Sequence, residues 1–135
     1  MAASRVQFPR MGHVALLVAD LERSERFYRE IFGMRLVWKS PGEIVFLETG
    51  DDDLALIQAA PGASRPPATA TGLHHFGFRV RRREEVDAAA EQVRAAGVVV
   101  YDGPRDHRDG SRSFYVRDPD GHSIQVLWDP IRTVR

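Results

Sequence analysis

Two histidines stand at the head of two similar apolar runs. Gly12-His13-Val14-Ala15-Leu16-Leu17-Val18 is echoed by His74-His75-Phe76-Gly77-Phe78-Arg79-Val80, and both runs lead into a helix-like stretch. Two matched half-domains would carry His13 and His75 to symmetric positions, where one metal ion can be shared. Neutral imidazole suits iron, manganese, zinc, nickel and copper alike, so the pair does not name the metal. The chain has no cysteine, which excludes thiolate metal sites, disulfides and a thiol nucleophile.

The elements that must position these residues follow from periodicity. Strand side chains alternate, so Val14, Leu16 and Val18 share one face and His13, Ala15 and Leu17 the other. Asp20 suits the N-cap of a helix with an apolar stripe of Leu21, Phe27, Tyr28 and Ile31, and Gly33 suits the position past its end. Strands are expected over 34–39, 43–49 and 54–59, parted by Pro41-Gly42 and Gly50-Asp51-Asp52-Asp53. A linker rich in Pro, Ala, Gly and Thr covers 61–72. The order then restarts: a strand over 75–80, a helix over 84–96 with Val86, Ala89, Ala90 and Val93 inward, and a strand over 98–101. A hairpin of 113–117 and 123–128 turns at Asp118-Pro119-Asp120-Gly121, a type I pattern. The charge run Arg81-Arg82-Arg83-Glu84-Glu85 reads as a solvated helix entry. Each half is βαβββ. The expected fold class is α+β, with two paired βαβββ modules, about 10–60 and 73–130 of one 135-residue domain, closing into a cup-shaped mixed sheet.

Composition bounds the partners. Acidic and basic residues balance at 19 each, so no net field draws the chain to nucleic acid or an anionic membrane. No apolar run approaches membrane-spanning length, and residues 1–9 lack the apolar stretch of a signal peptide, so a cytoplasmic protein acting on a small molecule is expected. No Gly-x-Ser-x-Gly elbow or phosphate-cradling glycine motif is present.

The chain resembles the vicinal oxygen chelate superfamily, which includes glyoxalase I, type I extradiol dioxygenases, fosfomycin-resistance proteins and bleomycin-binding proteins. The resemblance is carried by Gly12-His13-Val14-Ala15-Leu16, Asp20-Leu21-Glu22-Arg23-Ser24, Phe27-Tyr28 and Phe32-Gly33-Met34. In the second half it rests on Leu73-His74-His75-Phe76-Gly77-Phe78 and Tyr115-Val116-Arg117-Asp118-Pro119-Asp120-Gly121. It implies paired βαβββ modules and a homodimer. It also implies metal ligands at His13, Gln58, His75 and Gln125, holding a divalent ion: iron or manganese first, nickel or zinc next.

Metal-binding relatives commonly carry glutamate where this chain has Gln125. Glutamine can coordinate through its amide oxygen but brings no charge and cannot accept a proton near neutral pH. Glyoxalase-type isomerisation, which needs such a base, is therefore weakened relative to dioxygenase chemistry. The stretch from Asp106 to Tyr115 is similar to a dioxygenase segment in which a loop histidine and a strand tyrosine contact substrate or oxygen, here His107 and Tyr115. His74 is expected to face away from His75, and His122 to be a solvent-facing turn residue. The competing expectation is a metal-free small-molecule binder of the bleomycin-resistance type, with Trp38, Phe46 and Trp128 lining its cup.

Overall fold

The computed structural model describes residues 5–64 and 71–132, so the middle of the expected linker, 65–70, lies outside the described residues. The chain divides into two compact units, Met1–Pro61 and Gly62–Arg135. The first holds β1 (Val14–Val18), α1 (Leu21–Phe32), β2 (Arg35–Ser40), β3 (Ile44–Glu48) and β4 (Leu54–Gln58). The second holds β5 (Phe76–Arg79), α2 (Glu84–Ala95), β6 (Val100–Asp106), β7 (Arg112–Arg117) and β8 (Ser123–Trp128). The strand orders are β1-β4-β3-β2 and β5-β8-β7-β6. In both units the first strand runs parallel to the last, and the remaining pairings are antiparallel. The repeated βαβββ reading and the α+β class therefore hold. Among the described residues no helix is long and apolar enough to cross a membrane.

Each sheet buries one face under one helix. In the first unit Leu16, Val18, Val45, Leu47, Leu54 and Leu56 are buried, and α1 packs on β3 and β4. Asp20 caps α1 as expected, its carboxylate accepting the Arg23 N–H at 3.1 Å. Gly33 ends it with φ of 66°, a left-handed conformation that costs a glycine little. In the second unit Phe114, Val116, Ile124 and Val126 lie under α2, which presents Val86, Ala90 and Val93. Each such large side chain contributes about 1.5–3 kcal/mol by leaving water. The expected charge run is indeed the entry to α2, where the Glu85 carboxylate accepts the Arg82 N–H at 2.9 Å.

Two features of the second sheet depart from the expected pattern. β6 runs on through Gly103-Pro104 to Asp106 rather than stopping near Tyr101. Two register shifts against β7 absorb the irregularity, and β6 is an edge strand, where a proline's missing N–H is tolerated. The second feature is Gly77, which pairs with Gln125 across β5 and β8. A Cβ at Gly77 would lie 2.5 Å from the Gln125 carbonyl oxygen and 3.2 Å from the Gln125 Cβ. Only glycine allows this approach without a backbone shift. Gly77→Ala is expected to destabilise the protein by about 1–3 kcal/mol, as overpacked sites do, measurable by urea denaturation. A wild-type midpoint would show that the two strands can part freely.

Candidate functional site

Burial of Phe114, Val116, Ile124 and Val126 against α2 turns the alternate residues of β7 and β8 to the open face of the second unit. Those residues are Ser113, Tyr115 and Arg117 on β7, and Ser123, Gln125 and Leu127 on β8. The hairpin register sets Tyr115 opposite Gln125, and Gly77 flanks Gln125 on the other side. His75, two residues before Gly77, completes the group, with its ring against Tyr115 edge-on at 5.4 Å. Three of the residues expected from the sequence, His75, Tyr115 and Gln125, thus share one face of one sheet. The missing side chain at Gly77 lets β5 close against the Gln125 backbone, which fills the place a Cβ would take.

The two imidazoles at the head of β5 touch. His74 Nδ1 and His75 Nδ1 are 2.8 Å apart, so one ring donates and the other accepts. With His75 as donor, its Nε2 lone pair is left for a ligand, the arrangement metal-binding histidines adopt. His74 does not turn to the opposite face as expected. Both residues precede the first paired residue of β5, where alternation is not enforced.

Tyr115 is half-buried, and its phenol is held above the ordinary value of 10.0. Burial is the main cause; Tyr101 and Asp102 add to it and Arg105 partly offsets it. The phenol stays protonated through neutral pH and is a hydrogen-bond donor.

His107 does not reach the open face directly. Its Nε2 lies 2.6 Å from Ser113 Oγ, and the same oxygen accepts from Gln125 Nε2 at 3.0 Å. Ser113 is 1% exposed. A serine hydroxyl has one proton, and a buried proton without an acceptor costs about 1–3 kcal/mol. Gln125 already donates to Ser113, so the serine proton goes to His107 Nε2, and His107 carries its own proton on Nδ1. Gln125 is thereby anchored through its amide nitrogen. Its Oε1 has no partner among the described residues and remains available as an acceptor or ligand.

The His107 loop is itself pinned. Asp106 accepts from Arg83 at 2.6 Å and Arg112 at 3.1 Å, and Arg112 also binds Asp87 on α2 at 2.8 and 2.9 Å. These bonds hold the Asp87 and Asp106 carboxyls below their ordinary range, Arg112 being the first cause at both.

In the first unit, Gln58 is not available as a ligand. Its Oε1 accepts the Leu21 N–H at 3.0 Å, and its Nε2 donates to the carbonyls of Ala19 at 2.7 Å and Ala59 at 3.2 Å. The carboxamide ties the β1–α1 turn to the end of β4. It also sits on the wrong face, since Gln58 pairs with Val18, a residue of the helix-covered side. Register makes the reason plain: Gly77 pairs with Gln125, and its counterpart Ala15 pairs with Ala55. The residue matching Gln125 is thus Ala55, which has no donor atom. His13 precedes β1, just outside its ladder, and is exposed.

Two smaller expectations are also corrected. His122 is not solvent-facing: its Nδ1 lies 2.8 Å from Asp118, whose carboxylate also accepts the N–H groups of Asp120 and His122. Asp118, Asp120 and His122 lie close enough to hold an ion, but these bonds make the group a turn lock. Trp128 alternates with Ile124 and Val126 on the helix side of its sheet, because it is even-numbered in the same strand. Trp38 and Phe46 do pair on the open face of the first sheet, with rings 5.3 Å apart. Ser113 went unnoticed in the sequence. The type I turn would have revealed it, since that turn fixes Tyr115 against Gln125 and alternation then puts Ser113 beside them.

The family model for the glyoxalase/bleomycin resistance protein/dioxygenase superfamily matches residues 10–126. The chain belongs to this superfamily. The catechol-2,3-dioxygenase of Bacillus subtilis is 29% identical over 124 residues, covering 91% of this chain and 42% of that protein. The manganese-dependent 2,3-dihydroxybiphenyl 1,2-dioxygenase of Geobacillus genomosp. 3 is 28% identical over 125 residues, covering 91% and 38%. The superfamily chain thus spans about two-fifths of these two relatives. A lactoylglutathione lyase structure from Agrobacterium tumefaciens superimposes with a TM-score of 0.72 at 33% identity, covering 88% of this chain and 92% of that one.

The Ser113 network makes a prediction of its own. A carboxylate at position 125 has no proton to donate, so in Gln125→Glu it must accept from Ser113, which then accepts from His107 Nε2–H. Nitrogen-15 NMR of the imidazole should report a bare Nε2 in the wild type and a protonated Nε2 in the variant. The same tautomer in both would refute the polarity assigned to this chain.

Proposed function

We propose that this protein is a metal-dependent enzyme of the extradiol dioxygenase type, acting on a small catechol-like diol. The observation that carries the reading is the single open face shared by His75, Gln125 and Tyr115. There one imidazole nitrogen, one amide oxygen and one protonated phenol are uncommitted to other partners among the described residues. His13, His75 and Gln125 are the proposed ligands, and Gln58 drops out because its oxygen already accepts a backbone proton. By the chemistry of its donors, a set of two imidazoles and a neutral oxygen suits a divalent ion, iron or manganese ahead of nickel or zinc. Such an ion would supply Lewis-acid activation of a diol and redox access to dioxygen.

The chain's own residues do the rest. Tyr115, protonated at neutral pH, donates to a substrate or product oxygen at the face. Gln125 accepts a substrate hydroxyl or supplies its oxygen as a ligand, in an orientation Ser113 fixes. His107 acts through Ser113 and is a positioning residue. An isomerisation of the glyoxalase kind would need a carboxylate base, and neither glutamine supplies one. The resemblance further supports a homodimer.

A second reading draws on the apolar open face of the first sheet, where Leu17 is 64% and Trp38 52% exposed. A metal-free binder would use such a face for an apolar ligand. Metal content separates the two. Protein purified without an affinity metal should carry near-stoichiometric metal by plasma mass spectrometry. His13→Ala and His75→Ala should lose it, and Gln58→Leu should keep it while losing about 1–3 kcal/mol of stability. No metal in the wild type, even after anaerobic loading with iron, manganese, nickel or zinc, would leave the binder as the better account.

Tyr115→Phe should lower turnover by about a hundred-fold or more if the phenol moves a proton. The pH dependence has a definite sign. A donor whose pKa is raised keeps its proton as pH rises, so the phenolate absorbance lost in the variant should titrate above 10.0. Titration at or below 10.0 would contradict the raised pKa, and ionisation near neutral pH would remove Tyr115 as the donor.

A further inference from the structure

The second unit's open face holds a cation with no assigned work. Arg117 follows Tyr115 by one strand repeat, about 7 Å along β7, and lies opposite Ser123. Its guanidinium carbon sits 4.0 Å above the centre of the Tyr101 ring. That ring is fixed in turn: the Tyr101 hydroxyl bonds Ser123, and the ring packs 5.9 Å from Tyr115. Neighbouring arginines are spent on carboxylates. Arg79 holds Asp129 at 2.7 Å, Arg105 holds Asp102 through two bonds at 3.0 and 3.1 Å, and Arg112 holds Asp87 and Asp106. Arg117 has no carboxylate partner among the described residues. Asp102, the acid facing Tyr115, is neutralised by Arg105. The face therefore carries one uncompensated positive charge, oriented by stacking, with its fork of N–H groups open.

We propose that Arg117, held on Tyr101, anchors a carboxylate of the substrate, and that the substrate is a planar diol with that carboxylate opposite its hydroxyls. The assignment rests on the diol reading given above and adds the charge of the substrate to it. One strand repeat separates Arg117 from the Tyr115–Gln125 pair, roughly the reach of a benzene ring carrying a carboxyl at one end and hydroxyls at the other. A planar carboxylate takes the guanidinium fork through two parallel bonds. Tyr101 and Tyr115 offer aromatic surface beside it. Gln125 is uncharged, so nothing at the hydroxyl end repels an anion.

The test is calorimetric titration under argon, with no turnover, using 3,4-dihydroxybenzoate, 3,4-dihydroxybenzamide, benzoate and benzamide as probes. The wild type should bind the dihydroxy acid about ten-fold more tightly than its amide, the difference between a charged and a neutral hydrogen-bonded pair. Arg117→Gln should erase that preference and Arg117→Lys should keep part of it, with circular dichroism unchanged because the side chain is exposed. Equal binding of dihydroxy acid and amide, both tighter than benzamide, would sustain the diol reading and overturn the anchor. Benzoate bound as tightly as the dihydroxy acid, with the same loss in Arg117→Gln, would sustain the anchor and overturn the diol. No binding of any probe would overturn both.

Discussion

Period-two alternation under one covering helix is the constraint from which each unit's chemistry follows. Phe114, Val116, Ile124 and Val126 must all face α2, so Ser113, Tyr115, Arg117 and Gln125 must all face away. A slip of one residue between β7 and β8 would turn one strand over, exposing two of these apolar side chains and burying the guanidinium of β7 or the carboxamide of β8. The hydrophobic loss alone is several kcal/mol, a large part of what a domain of this size has. The register is therefore as firm as the core. The functional face inherits its geometry from residues that never touch it. Gly77 belongs to the same logic, since the parallel pairing of β5 and β8 closes only where no Cβ intervenes.

Within that frame, the direction of one hydroxyl proton decides what the face presents. Ser113 is buried between a carboxamide and an imidazole, and with the amide nitrogen turned to the serine one polarity satisfies all three groups. The amide nitrogen points inward to the serine and the amide oxygen outward. Gln125 then matches a glutamate in shape and in its outward-facing acceptor, but not in charge. An amide oxygen brings no charge to offset a neighbouring cation, as a carboxylate would.

The repeated βαβββ order was legible because it rests on local signals: alternation, a capping aspartate, a glycine stop and an Asp-Pro-Asp-Gly turn. His75, Tyr115 and Gln125 were legible for the same reason, since a hairpin of known turn type determines which residues stand opposite. Gln58 misled because its nearness to a strand end says nothing about face. Its pairing with Val18 places it on the covered side, where an amide can only serve the backbone. The run of β6 through Gly103-Pro104 was hidden for a different reason. Gly-Pro normally ends a strand, and an edge strand can carry it only by shifting register against its neighbour. His74 marks a third limit, because alternation arguments stop at the first residue outside the ladder.

The charge at position 125 and the charge at position 117 are best understood together. With a glutamate at 125, the open face would balance Arg117, and an anionic ligand would gain from one end what it lost at the other. With glutamine the balance is broken in favour of anions. The Asp102–Arg105 pair does not restore it, being neutral by itself. The two curated dioxygenases described above are named for catechol and dihydroxybiphenyl, neither of which bears a carboxylate. On this face a neutral carboxamide leaves Arg117 as the charge that an approaching ligand meets. The charge of the face is then set at a single carboxamide, held in place by a buried serine.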